Sequence, residues 1–434
     1  MKEYQEIKNG LKTSDFLHKE IMASQETVQR LRPLWDKAFE RFYCKENGLF
    51  YEFVTDCMSK AWENLPAVSE IEKMYPNPCG WGTGMEDSVM NGAAAVDALI
   101  SACCIGDENL NKITSELVCG ILKCTEVSEN CGFVARSISP YDNKSHYIES
   151  SRDQYTHFVY SLLRYYFSDL SDEDTKERIR NALVSVAEKC KREVTPENDY
   201  NMLREDGSIG KVNKMWGNIA AHERMRMPMI YLAAYKASEK EEYLLLYRQY
   251  RDEALEKSLD YNEKTSRLYC ALQMMCSLRL VYEYDEDEKF RNRLLPLMNR
   301  LAEYGEEKAV NNSVEFSKAL YRDKLDYAFK PWRTVNMFDG GEYNGYRYLN
   351  PGQSELKENS AFYPVREVGE GALLSAMCPH RRVSDEVMLA LLRMADAVDV
   401  EKQSSVYALL YLPCAYAACL ENRMILRKEC RHEK

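Results

Sequence analysis

The chain has 434 residues, of which 45% are hydrophobic and 29% are charged, a composition typical of a folded globular protein. Its formal net charge of −11 argues against nucleic acid as a partner, because phosphate binding needs a clustered basic face. No apolar run approaches the roughly 20 residues that cross a bilayer, and the N-terminal sequence contains no signal-like apolar stretch. We therefore expect a cytoplasmic protein with no membrane or nucleic-acid partner.

Cysteine usage indicates neither disulfides nor a metal framework. Many of the 15 cysteines, such as Cys103, Cys276 and Cys414, lie inside apolar helical runs, where a thiol packs as a small hydrophobic group. No C-x-x-C pair or repeated Cys/His ligand spacing occurs. Phosphate-cradling glycine loops and the G-x-S-x-G nucleophile motif are also missing from the sequence. We expect no metal and no cofactor.

Two kinds of predicted helix alternate along the chain. Amphipathic helices, the first with a break or kink at Pro33, are predicted at about 14–45, 107–124, 171–190, from 238 onward, 287–304 and 383–398. Helices that are apolar nearly all round are predicted at about 82–104, 150–167, 215–235, 265–282, 362–377 and 403–420. A helix that is hydrophobic on every side is buried on every side. The alternation therefore predicts an inner ring of six buried helices wrapped by an outer ring of six.

This arrangement is an all-α (α/α)6 toroid, which accounts for residues 1–434 as a single domain. If the amphipathic helices return the chain, the buried helices run parallel and their polar starts meet at one mouth. A superhelical solenoid of hairpins also fits the alternation, but it would not bring the six starts together. We expect the toroid.

A long interruption is predicted at about 305–361, which ends in an aromatic and glycine-rich stretch. Long connections in compact domains often serve as lids or binding loops. Trp332, Tyr343, Tyr346 and Tyr348 are candidate platforms for stacking on sugar rings. The alternative is that they only plug the open end of the barrel.

Acidic residues at the starts of the first two buried helices are the candidate catalytic groups. Glu86 and Asp87 begin one helix, and Asp153 begins the next, four residues before His157. Glycosidic bond cleavage needs such a meeting of carboxyl groups, because one donates a proton and another attacks or activates water. We expect Asp153 to be the general acid, with Asp87 as its partner and Glu86 beside them. The alternative is that these acids cap their helices.

Polar residues near the same mouth are candidates for binding the substrate. Arg136, Arg152 and Arg366 have the fork geometry that holds a substrate carboxylate, and a tryptophan beside Asn and His suits sugar recognition. The full set comprises Arg136, His146, Glu149, Arg152, Gln154, His157, Trp216, Asn218, His222, Glu223, Trp332, Arg366 and Glu367.

Four segments resemble the six-hairpin glycosidase superfamily: GTGMEDS at 82–88, GFVARSISPYDNKSHYIESSRDQYTHFVYSLLRYY at 132–166, PENDYNMLREDG at 196–207, and FYPVREVGEGALL at 362–374. The resemblance covers most of the chain and implies the toroid and a glycoside hydrolase activity. In the unsaturated glucuronyl hydrolases of this superfamily, two aspartates lie at the first two inner helices, and one protonates the double bond of the substrate. Asp87 and Asp153 occupy similar positions, although the residues around them differ.

Three functional hypotheses follow. The first is a glycoside hydrolase acting on an oligosaccharide, with acidic and unsaturated sugars among the expected substrates. The second is a sugar epimerase or isomerase on the same toroid, in which His222 and another histidine transfer protons. The third is a non-catalytic carbohydrate-binding toroid. A carboxylate pair at the mouth favours hydrolysis, whereas two opposed histidines favour epimerisation.

Overall fold

The computed structural model describes residues 31–432, apart from residues 57, 105–110, 322–324, 326–330, 353–360 and 362. The helix predicted at about 14–45 is therefore described only from residue 31, and its first part lies outside the described residues. Residues 31–42 are helical and include Pro33.

Helices dominate the described part of the chain. In chain order they are α1 (31–42), α2 (Val68–Ile71), α3 (Ser88–Cys104), α4 (Asn111–Glu126), α5 (Arg152–Tyr166), α6 (Glu173–Glu193), α7 (Arg226–Ser238), α8 (Glu241–Ser258), α9 (Leu268–Tyr284), α10 (Glu288–Tyr321), α11 (Tyr363–Ala376), α12 (Asp385–Ala397) and α13 (Val406–His432). Two short hairpins accompany them, formed by strands β1 (Tyr43–Cys44) and β2 (Leu49–Phe50), and by β3 (Met337–Tyr343) and β4 (Tyr346–Pro351).

Six helices form a closed inner ring. Helix α3 packs on α5, α5 on α7, α7 on α9, α9 on α11, α11 on α13, and α13 returns to α3. The helices between them in sequence pack outside this ring, as α4 does on α3, α8 on α7 and α12 on α11. A solenoid would leave its first and last buried helices apart, whereas here α13 contacts α3. The predicted (α/α)6 toroid is confirmed.

Burial follows the two predicted helix types. Along inner helix α9, buried residues continue from Leu268 to Val281 with few interruptions. Along outer helix α8, burial recurs at Tyr243, Tyr247 and Leu255, which places one stripe against the inner ring. None of the described helices is long and apolar enough to cross a membrane.

Two inner helices begin later than predicted. Helix α3 begins at Ser88 rather than 82, because Gly82 and Gly84 adopt positive φ angles of 78° and 93° and form a turn. Helix α7 begins at Arg226 rather than 215. The preceding segment is held extended by a bridge between Asn201 and Lys214, and Gly217 has a φ of 76°.

The interruption predicted at 305–361 is shorter than expected, because outer helix α10 continues to Tyr321. Ala309, Ser313 and Phe316 are buried at helical spacing along this extension. Gly305 permits its close packing on α11, since a Cβ there would lie 2.5 Å from the Gly371 carbonyl oxygen. The β3–β4 hairpin follows, and Tyr343 pairs with Tyr346 across a two-residue turn.

Candidate active site at the mouth of the inner ring

The starts of the inner helices contact one another through polar side chains. Asp87 lies immediately before α3, and its Oδ1 atom accepts a hydrogen bond from Gln154 at the start of α5 (2.8 Å). The Tyr407 hydroxyl at the start of α13 donates to Asp87 Oδ2 (2.7 Å). Each Asp87 oxygen therefore accepts one hydrogen bond, and the two donors come from two neighbouring helices. Because both donors are side chains of other helices, Asp87 does more than cap its own helix.

The other three inner helices join the same mouth. Arg226 of α7 pairs with Asp153 of α5 (2.9 Å) and donates to Gln273 of α9 (2.5 Å). Arg366 of α11 lies over the Tyr407 ring, with its guanidinium carbon 4.3 Å from the ring centroid. All six inner helices thus contribute side chains to one polar site, as the parallel course of these helices requires.

Glu86 and Asp87 lie side by side on the turn that precedes α3, and both are partly exposed. The Gly82 N–H donates to the Glu86 carboxyl group. A third carboxyl group, that of Glu52, lies beneath them, and each of the three contributes an oxygen to a cluster whose members lie within 4.8 Å of one another. Crowding three acids in this way has a direct electrostatic consequence.

The pKa of Glu86 is raised to about 8, first because burial disfavours its charged form and then because Asp87 lies beside it. Arg136, the Gly82 N–H and Arg366 oppose this shift without cancelling it. Burial, followed by the charges of Glu86 and Asp87, also raises the pKa of Glu52 well above its ordinary value. Glu86 therefore carries a proton at neutral pH.

Asp153, the expected general acid, is in a different environment. Burial alone would raise its pKa, but Arg226, the Gln273 side chain and Arg152 outweigh burial, and the pKa is lowered. A carboxyl group with a lowered pKa is ionised at neutral pH and has no proton to donate. Within the predicted trio, the properties of an acid belong to Glu86.

The three candidate arginines differ in their partners. Arg152 pairs with Glu223 (2.8 Å), and Arg366 pairs with Glu370 (2.7 Å). Arg136 is buried and donates to the backbone oxygen of Glu86 (3.3 Å), and no carboxylate of the described residues lies within ion-pair distance of it. Within the part of the chain that the structure describes, Arg136 is thus the arginine of this set with no carboxylate in direct contact.

Two of the candidate histidines, His157 and His222, are held neutral. Burial lowers the pKa of His157 and of His222 to about 4 in each case. His222 lies in the short helical turn before α7, 3.8 Å from Glu223. It does not share a helix face with Asn218, because residues 215–220 are not helical and Asn218 is exposed. A base with a pKa near 4 is poorly matched to proton abstraction at neutral pH.

Several predicted binding residues make contacts with other side chains of the protein. His146 bonds to Glu205 (3.0 Å), and Glu367 accepts from Asn312 (2.8 Å). Trp216 is buried edge-on against Tyr250. These side chains support the walls around the mouth.

Trp332 does not offer a free ring face. It is 2% exposed, and its indole N–H donates to the backbone oxygen of Asn64 (3.0 Å). Its ring packs beside Tyr75 and under the Arg333 guanidinium. The residue is a buried anchor for the segment that leads to the hairpin.

The three hairpin tyrosines gather around one arginine, and Tyr343 remains 37% exposed. Tyr343, Tyr346 and Tyr348 surround the guanidinium of Arg204, with ring centroids 5.9, 4.9 and 6.0 Å from its carbon. Arg204 Nε donates to Glu149 (2.6 Å), and both side chains of this pair are fully buried. The Tyr348 hydroxyl also donates to Glu149. Glu149, a predicted binding residue, therefore belongs to the contact that docks the hairpin.

Replacing Arg204 with Met is expected to lower the free energy of unfolding by about 3 kcal/mol, because it leaves the Glu149 carboxylate buried and unpaired. Arg347→Met is the matched control, since Arg347 pairs with Asp339 on the exposed face of the hairpin and should cost at most about 1 kcal/mol. Urea denaturation of both variants measures the difference. Equal destabilisation by the two changes would contradict a docking role for the Arg204–Glu149 pair.

A cavity of about 20 Å³ lies below the mouth, lined by residues of the inner helices that include His157, Ser161, Leu373 and Tyr411. That volume is enough for about one water molecule and too small for a sugar ring. This cavity therefore does not hold a sugar, and the polar helix starts above it are the candidate binding site.

Sequence reasoning missed four residues of the site: Glu52, Arg226, Gln273 and Tyr407. Arg226 and Gln273 lie within predicted inner helices, and the charge of Arg226 in an apolar helix was an available signal. Tyr407 was one of 30 tyrosines with nothing to distinguish it. Glu52 follows β2 and reaches the mouth only because its segment pairs with residues 404–406.

Similar solved structures include two glycoside hydrolases. One is a family 76 glycoside hydrolase from a bovine Bacteroides thetaiotaomicron strain, which is 9% identical over 91% of this chain and 77% of the other, with a TM-score of 0.46. The second is a family 76 glycoside hydrolase (mannosidase) from Bacteroides thetaiotaomicron, 10% identical over 94% of this chain and 100% of the other, with a TM-score of 0.44. No protein-family model and no curated protein matches the chain.

Proposed function

We propose that this protein is a glycoside hydrolase in which Glu86 is the acid/base and Asp87 is the nucleophile. The observation that carries the proposal is a pair of adjacent carboxyl groups in opposite environments. Glu86 has a pKa raised to about 8 by burial and by Asp87, so it can donate a proton. Asp87 accepts hydrogen bonds from Gln154 and Tyr407, which hold its carboxylate in a fixed orientation.

The separation of the pair favours a double displacement. Carboxyl groups about 5–5.5 Å apart are typical of retaining glycosidases, whereas inverting enzymes need about 6.5–9.5 Å to admit a water molecule. Oxygens of Glu86 and Asp87 lie within 4.8 Å of each other. In the first step Glu86 gives its proton to the glycosidic oxygen, the C–O bond breaks, and Asp87 attacks the anomeric carbon.

The second step restores both groups. Ionised Glu86 takes a proton from water, the hydroxide oxygen bonds to the anomeric carbon, and the ester bond to Asp87 breaks. Two inversions give net retention of configuration. When the ester breaks, negative charge returns to the Asp87 oxygens, and the hydrogen bonds from Gln154 and Tyr407 stabilise it.

The mouth also suggests which substrates belong in a first test. The cavity below the mouth is too small for a sugar ring, so we place the sugar at the helix starts. There the Arg136 guanidinium has no carboxylate of the described residues within ion-pair distance. A uronic acid could place its carboxylate there. Neutral glycosides and glycuronides therefore form the two halves of the panel, and unsaturated disaccharides test hydration of a double bond by the same acid, Glu86.

The test is turnover of this panel by the purified chain, with the anomeric configuration of the first-formed product followed by proton NMR. We expect hydrolysis of at least one class with retention. A first product of inverted configuration would overturn the double displacement. Binding without turnover would indicate a carbohydrate-binding toroid, and interconversion of free sugars would indicate an epimerase.

A further inference from the structure

Glu52 is a fully buried acid that connects the two sides of the candidate site. It follows β2 in an extended segment, and its own N–H donates to the Gly84 carbonyl oxygen (3.3 Å). Its carbonyl oxygen accepts from the N–H of Val406, the first residue of α13 (3.0 Å). The backbone of Glu52 thus bridges the turn that carries the acid pair and the helix that carries Tyr407.

The side chain of Glu52 continues this bridge. Its Oε1 atom accepts the backbone N–H of Glu86 (2.7 Å) and also that of Asp87. Amides that precede the first turn of a helix have no partner within the helix, and one carboxyl oxygen here satisfies two of them in succession. The Oε2 atom is buried without a hydrogen-bond partner among the described residues.

The two amides that Glu52 holds belong to the two residues of the acid pair. Fixing consecutive N–H groups to one oxygen fixes the peptide plane between Glu86 and Asp87, and with it the directions in which their side chains leave the backbone. The same residue sets the start of α13, from which Tyr407 reaches Asp87 Oδ2. Glu52 therefore contacts the backbone next to both members of the Tyr407–Asp87 hydrogen bond.

We propose that Glu52 is the positioning residue of the Glu86–Asp87 pair, acting through the two backbone amides that its carboxyl oxygen accepts. It contacts no reacting atom itself. This role rests on the proposed glycosidase function of the pair, but the fixed geometry can be measured without any substrate.

The neighbouring donors favour this role over that of a cation ligand. The three carboxyl groups are close enough together to hold an ion. However, one oxygen of Glu52, one of Glu86 and both of Asp87 already accept N–H or O–H donors, and these hydrogen bonds would compete with a cation for the same oxygens. The cluster is built as a set of hydrogen-bonded carboxyl groups.

The kinetic test compares Glu52→Ala with Glu52→Gln. Alanine removes the acceptor, and we expect kcat to fall by about 10²-fold with KM within a few-fold of wild type, because small misplacements of catalytic groups have costs of this order. Glutamine keeps an oxygen at the same reach and should restore kcat to within about tenfold of wild type. Equal losses in the two folded variants, or full activity in Glu52→Ala, would overturn the proposal.

The substrate-free test is hydrogen exchange of the Glu86 and Asp87 amides, measured by NMR on the full chain. Glu52→Ala should speed their exchange at least about tenfold, and Glu52→Gln should keep them protected. Glu421→Gln is the matched control, because Glu421 is a buried acid of α13 that accepts from Ser101 Oγ and contacts neither amide. Its effect on the two amides should be negligible.

The two measurements separate failure of the proposal from failure of the proposed function. If wild type hydrolyses no glycoside but the two amides respond as expected, Glu52 positions this turn for another reaction and the glycosidase proposal fails. If wild type is active and the amides stay protected in folded Glu52→Ala, the positioning role fails alone.

Discussion

Asp87→Asn is expected to lower kcat on an activated aryl glycoside by about 10⁴-fold, because an amide cannot form the glycosyl ester that the double displacement requires. The fold should tolerate the change. Gln154 and Tyr407 donate to separate Asp87 oxygens, so Asn satisfies one donor and leaves the other facing its NH₂ group, at about 1–3 kcal/mol. Steady-state kinetics together with thermal melting by circular dichroism measure both effects.

Two further variants test whether the loss of kcat comes from removal of the nucleophile. Asp172→Asn is the matched control, since Asp172 caps outer helix α6 through the Thr175 N–H and asparagine caps equally well. It should leave kcat unchanged. Asp87→Ala with added azide should form a glycosyl azide of inverted configuration, because azide takes the place of the missing nucleophile. If Asp87→Asn keeps more than about a tenth of wild-type kcat, Asp87 is not the nucleophile.

The ring of helices was predictable from the sequence because burial in this fold is periodic. Helices buried on every side alternate with helices buried on one stripe. A closed double ring accounts for both kinds and also brings the polar starts of the buried helices together, which a solenoid would not do. The helix starts were less predictable. Gly82 and Gly217 take positive φ angles, and each delays an inner helix although apolar residues continue through the segment.

The β3–β4 hairpin lies in the interruption predicted at about 305–361, and the sequence of this segment contains a hairpin signal that the prediction did not use. Asn344-Gly345 is flanked by alternating aromatic residues, and Asn-Gly favours a two-residue turn because both positions tolerate positive φ. The observed φ angles there are 46° and 83°. By contrast, docking of the hairpin through Arg204 and Glu149 joins residues 55 positions apart, which no local pattern encodes.

The sequence predicts where the candidate acids meet, but it does not show which of them keeps a proton. Polar residues at the starts of buried helices do meet, as helix direction alone implies. Which acid keeps a proton depends on partners that come from other helices: Arg226 lowers the pKa of Asp153, whereas burial and Asp87 raise that of Glu86. The sequence identifies the candidate acids, but the protonation state of each acid depends on the side chains around it in the fold.

Glu86→Gln is expected to abolish the alkaline limb of the pH profile and to lower kcat/KM by about 10³-fold for substrates with poor leaving groups. In wild type the limb should lie near pH 8, because Glu86, with a pKa of about 8, loses its catalytic proton as the pH rises past that value. A dinitrophenyl leaving group needs little protonation, so formation of the glycosyl-enzyme should survive in this variant. Burst kinetics on such a substrate measure that first step.

The same proton affects stability in a direction that can be checked independently. The folded-state pKa of Glu86 lies above its ordinary value of 4.5, so the proton contributes stability that is fully present below pH 4.5 and is lost as the pH rises through about 8. Wild type should therefore lose stability relative to Glu86→Gln across that interval in urea titrations. A pH-independent difference between the two proteins would contradict the raised pKa.

Asp153→Asn tests whether the acid has been assigned to the correct residue. Asp153 pairs with Arg226, and its lowered pKa leaves it ionised throughout the range in which the alkaline limb lies. Removing its charge should weaken the hold on Arg226 and reduce kcat, while the limb remains within about half a pH unit of its wild-type position. If instead the limb disappears in Asp153→Asn and persists in Glu86→Gln, Asp153 is the general acid and the buried environment of Glu86 serves another purpose.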